Sequence, residues 1–166
     1  MRRALIIPLT AAALAAAPPA DGESAGKRAV PEPWATVNVC DTLERPNQIG
    51  IRGSMPGLAR RTRMFMRFRV QYKTLEGEWR TVTSDVADSG WRSVAAGRRG
   101  EHDAGWTFEF KPPATGGAHI LRGLVSFQWR RLGRVVMRDR SVPEDGHPGT
   151  TGADPPDFSA ATCAIA

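Results

Sequence analysis

The residues able to carry chemistry in this chain are few and widely spaced. Ser89, His102 and Asp103 make a nucleophilic triad only on paper, because no Gly-x-Ser-x-Gly elbow surrounds the serine. Glu76 and Glu78 flank Gly77 in a turn, where exposure gives neither carboxyl a reason to titrate far from its ordinary value. Asp85, Asp88, Glu101 and Asp103 could gather around calcium, but they lack EF-hand spacing. His102, His119 and His147 are scattered, so no metal site is expected. There is no phosphate-cradling glycine loop and no sign of a cofactor. The motifs point away from an enzyme.

Two other residue types remain. Cys40 and Cys163 are the only cysteines and bracket most of the chain, which in an exported protein reads as one intramolecular disulfide. Five tryptophans are present. Trp79 and Trp91 lie near polar loops and are the candidates for stacking sugar rings, although tryptophan more often packs in a core or its rim.

These residues must be positioned by strands, since helical periodicity is almost absent after the first 20 residues. Strands are read at Trp34–Asp41, Gln48–Met55, Arg63–Lys73, Trp79–Thr83, Ser89–Val94, Trp106–Lys111, His119–Arg130 and Arg134–Arg140, separated by Gly/Pro/Asn/Asp punctuation. Ala95–Gly105 reads as a charged loop. The clearest segment is RMFMRFRVQYK, where Met64, Met66, Phe68, Val70 and Tyr72 share one parity and Phe65, Arg67, Arg69, Gln71 and Lys73 the other. Trp106, Phe108 and Phe110 share a face of a second strand. Leu121, Val125, Phe127 and Trp129 do so in a third. Together these twelve inward residues form the expected core. Leu132-Gly133 turns the last long strand into Arg134–Arg140, giving a hairpin.

The ends of the chain are different. Arg2 and Arg3 precede an apolar run from Ala4 to Ala17 that is too short to span a bilayer, so residues 1–20 read as a secretory signal. Residues 21–33 read as a flexible leader, 34–142 as a β-sandwich domain, and 143–166 as an extended tail pinned by Phe158 and Cys163. The expected product is a secreted or extracytoplasmic monomer with no membrane span after cleavage.

The paired strands MFMRFRVQY and LRGLVSFQW with the closing turn RRLGRVV resemble strands C, F and G of an immunoglobulin-like or fibronectin type III-like sandwich. The resemblance implies an all-β, two-sheet antiparallel fold of about seven or eight strands. The cysteines depart from the antibody pattern, because they join the first strand to the tail. WATVNVCDT and GADPPDFSAATC are also similar to segments of small exported proteins of unassigned function from high-GC bacteria.

If those strands lie side by side, one outward face carries Arg67, Arg69, Arg122, Arg130, Arg134, Arg138 and Arg140. Residues 59–140 hold 17 Lys+Arg against eight Asp+Glu, whereas 141–166 hold four acids and no base. The chain therefore has a basic body and an acidic tail. Arginine is also favoured by composition here, with only three lysines among 23 basic residues. The functional expectation is a binding or interaction module for an anionic envelope polymer or an extracellular protein. The alternatives are a structural envelope domain without a discrete ligand, and carbohydrate binding through exposed tryptophan. A further alternative is the acidic tail as the occupant of the arginine face.

Overall fold

The computed structural model describes residues 31–58, 62–97 and 99–166. The expected signal (residues 1–20) and most of the expected leader (21–33) lie outside the described residues.

Alternation becomes strand wherever it is sustained. The order is β1 (Trp34–Cys40), β2 (Gln48–Gly57), β3 (Thr62–Lys73), β4 (Trp79–Thr81), β5 (Arg92–Ala96), β6 (Gly100–Glu109), β7 (His119–Arg131), β8 (Arg134–Ser141) and β9 (Cys163–Ile165), with a short 3-10 turn at Asp85–Ala87. Antiparallel pairing arranges them as a three-stranded sheet β1-β2-β6 and a six-stranded sheet β4-β3-β7-β8, in which β5 also pairs with β3 and β9 with β7. The fold is an all-β, two-sheet antiparallel sandwich. No helix of the described residues is long and apolar enough to cross a membrane.

The β3–β7 pair is the spine of the larger sheet, running in unbroken register from Thr62↔Arg131 to Tyr72↔Leu121. Its inward residues Met64, Met66, Phe68, Val70, Leu121, Val125, Phe127 and Trp129 meet Ala35, Val37, Ile49, Ile51 and Met55 of the smaller sheet. Gly123 is needed in this interface because a Cβ there would stand 2.7 Å from Ile51 Cγ2. The buried Trp129 indole donates to the Pro56 carbonyl at 2.8 Å, so its one polar atom is satisfied.

Three parts of the sequence expectation need correction. Ala95–Gly105 is mostly strand, because β2 continues through Gly57 and pairs β6 as far back as Gly100. Long-range pairing overrides a composition that locally favours turns. Tyr72 and Trp106 are 38% and 37% exposed. Burial along β3 ends at Val70. Trp106 lies on the edge strand of the smaller sheet, where the Arg92 guanidinium covers its ring at 4.2 Å. Phe108 is buried and Phe110 half-buried against the core.

The tail does more than extend. Asp154 N–H donates to the Asn38 carbonyl, and Val37 and Ala160 exchange backbone bonds, so residues 144–160 seal the open edge of β1. The outward Thr36 and Asn38 are buried because the tail covers them. Ser159 Oγ lies 2.7 Å from Thr36 Oγ1, and Asn38 Nδ2 donates to the Thr151 carbonyl. Trp34 stacks on His147 with ring centroids 4.2 Å apart. The chain then crosses to the larger sheet as β9, and Cys163 bonds Cys40 with Cα atoms 5.3 Å apart.

Candidate anion-binding site

The outward face of β3, β7 and β8 is a grid set by register. Arg67 and Arg140 flank Ser126, Phe65 and Arg138 flank Gln128, and Arg69 lies opposite Leu124. Further along, Arg130 sits beside Arg63, and Arg122 beside Gln71. A β-bulge between Trp129 and Arg130 shifts β8, placing Arg134 across from Arg131 and off this face. Parity alone carries no sign of that extra residue. Six of the seven expected arginines therefore share the face.

They are not equivalent. Arg67 is held by Asp88, whose carboxylate accepts from Nε at 2.9 and 3.0 Å and from Nη2. Asp88 arrives from the segment after β4 and forms an isolated bridge with Arg69, a contact invisible in strand parity. The hydrogen bond from Arg67 holds the Asp88 carboxyl below its ordinary value, and the same bond raises Arg67. Arg122 donates to Gln71 Oε1 at 2.8 Å and lies 4.3 Å over the Trp79 ring. Arg130 donates to Gln128 Oε1 and covers Phe65 at 4.1 Å, with Trp91 at 5.5 Å.

Among the described residues, the Arg69, Arg138 and Arg140 side chains have no ionic or hydrogen-bonded partner. Burial lowers the Arg69 pKa, and the neighbouring Arg67 and Arg140 charges lower it further. These three, with Arg67, line a groove of about 470 Å³ floored by Ser126 and Gln128 and walled by Trp91. Four guanidiniums there face two carboxylates, Asp88 and the rim residue Asp139, and Asp139 already accepts from the Arg140 backbone N–H. The groove thus keeps a positive excess and donors able to meet phosphate or carboxylate oxygens. The tail does not cover it: residues 144–160 bond to β1 on the other sheet, β9 pairs β7 only at His119–Leu121, and no tail residue lines the groove.

The remaining candidate residues are not brought together. Ser89 Oγ accepts from Phe68 N–H and donates to the Gly90 carbonyl, while Asp103 lies 3.8 Å from Arg52 on the smaller sheet. His102 and Asp103 are successive strand residues and point to opposite faces. Glu76 is held below its ordinary value by its own backbone N–H and then by Thr74, the reverse of what a general acid needs. One face of Trp79 is taken by Arg122, and Trp91 belongs to the arginine groove.

The chain matches no protein-family model and shows no significant sequence similarity to a curated protein.

Proposed function

We propose that the protein is an exported binding module that holds an anionic polymer against the arginine groove of its larger sheet. The observation that carries this reading is the convergence on one open groove of Arg69, Arg138 and Arg140, whose side chains have no partner among the described residues. Like charges on neighbouring strands repel modestly, and an anion lying along the groove offsets that repulsion while using donors left free. The scaffold is read as immunoglobulin-like. What supports this is the placement of β3, β7 and β8 side by side, facing β1-β2-β6.

The test is binding of heparin and of polyphosphate, with neutral dextran as control, across a salt series. Three phosphate contacts on a flexible polyanion predict a log–log salt slope of about −2, or roughly a twentyfold loss between 50 and 200 mM salt. An Arg69→Gln/Arg138→Gln/Arg140→Gln variant should lose most of this binding while keeping its circular dichroism. Equal binding by wild type and variant, or no binding at low salt, overturns the reading.

A further inference from the structure

A second recess lies on the opposite side of the molecule, on the outward face of β1-β2-β6. Two outward positions there are glycine, Gly50 opposite Thr107 and Gly105 opposite Arg52. Both stand in close quarters with their neighbours. A Cβ on Gly50 would meet Asn38 Oδ1 at 2.8 Å, and one on Gly105 would stand 3.4 Å from Arg52 Cδ and 3.7 Å from its Nη1. Gly105, Asn38 and Thr107 line a recess of about 410 Å³, bounded by the tail turn at Thr151-Gly152 and by Arg45. That size falls within the range of small-molecule sites, roughly 300–1,000 Å³.

Its two guanidiniums are under-used. The Arg52 side chain is only 16% exposed, yet its nearest carboxylate oxygen, on Asp103, is 3.8 Å away, and its buried Nε has no partner. Arg45 is likewise 3.8 Å from Asp154 and reaches the Gly152 carbonyl only at 3.4 Å. Charge-assisted N–H···O bonds normally run about 2.7–2.9 Å, so both pairings leave donors unspent.

We propose that this recess binds a small hydroxylated monocarboxylate of the sugar-acid kind, its carboxylate bridged between Arg45 and Arg52 and its hydroxyls facing Thr107 and the Thr151-Gly152 turn. The unspent donors select one carboxylate, and the charge count disfavours a dianion. Two arginines are balanced by Asp103 and Asp154, so the recess is formally neutral. One carboxylate is compensated by the guanidinium donors, whereas a phosphate dianion brings a second charge with nothing to meet it. Planar carboxylate also matches the guanidinium fork. The site is separate from the arginine groove, and the proposal does not rest on that groove's function.

The probe is sodium glucuronate, titrated into ¹⁵N-labelled full-length protein, with glucose and sodium phosphate as parallel arms. Glucuronate should produce saturable shifts at the amides of Gly105, Thr107 and Gly152, in the millimolar range expected of a small open site. Glucose and phosphate should bind there roughly tenfold more weakly or not at all. Arg52→Gln should abolish the glucuronate response. Arg45→Gln, a change at a half-exposed loop residue, should weaken it about tenfold with the spectrum otherwise preserved. The proposal fails if those amides show no saturable shift. It also fails if glucose or phosphate binds as tightly, or if both variants respond as wild type does.

Discussion

Replacing Asp88 with Asn tests how the arginine groove is balanced. The substitution keeps the shape and an acceptor for Gly90 N–H, which Asp88 Oδ1 receives at 2.9 Å. It removes the charge that holds Arg67. The Arg67 side chain is 36% exposed and that of Asp88 22%, so solvent screens the pair and its contribution stays near the upper end for surface pairs, about 1 kcal/mol. Asp88 titrates below its ordinary value of 3.8, so the pair's stabilisation is present at pH above that value. It is lost as pH falls through the lowered value. Urea unfolding at neutral pH should therefore show Asp88→Asn less stable by about 1 kcal/mol, with the difference vanishing in strong acid. Binding should move the other way. A freed Arg67 adds one cation, steepening the heparin salt slope by about 0.7 and tightening binding at low salt. A variant that binds more weakly than wild type, or whose stability and acid response are unchanged, refutes the reasoning.

Two further outcomes concern the scaffold. Gly123→Ala should cost about 1–3 kcal/mol in urea unfolding, since its Cβ would meet three Ile51 carbons at 2.7–3.1 Å across the sandwich. A neutral result would mean that the sheets separate more easily than their packing implies. Cys40→Ser/Cys163→Ser should lower stability by up to about 5 kcal/mol in the chain-entropy account, because the bond closes a sequence separation of 123 residues. Non-reducing peptide mapping of the wild-type protein should recover that single cross-linked pair.

How far this fold is legible in the sequence depends on where each residue finds its partner. β3 and β7 are plain because every second residue is apolar and the opposite sheet buries that whole parity, from Met64 to Val70 and from Leu121 to Trp129. Trp106 has the same parity as Phe108 but sits where an edge strand runs out of cover, and periodicity cannot distinguish the two. The strand at Gly100–Gly105 is hidden because its pairing to β2 is set by distant residues. Asp88 and Arg134 follow the same logic. A loop crossing and a single bulge decide whether they belong to the arginine face, and neither leaves a trace in alternation. The recess beside Arg52 has no motif in the sequence. Its trace in the sequence is Gly105, which interrupts an otherwise sound strand.

The separation between basic and acidic halves of the chain survives folding for a physical reason. Left free, the acidic tail would be a further counter-charge for the arginine groove beside Asp88 and Asp139. Three of the four acidic side chains of the tail are spent locally instead. Asp145 accepts from Ala161 N–H, Asp157 from Gly149 N–H, and Asp154 from Thr42 while facing Arg45. Backbone bonds from Glu144, Asp154 and Ala160 fix the tail along β1, whose open edge would otherwise be free to pair with other chains. Once β9 is zipped to β7 and Cys163 is bonded to Cys40, the tail is tied at its far end as well. Moving it to the other sheet would mean breaking the edge seal and leaving Thr36 and Asn38 uncovered. The arginine groove is thus left open by the same contacts that complete the smaller sheet, and its counter-charge must come from solution or from a ligand.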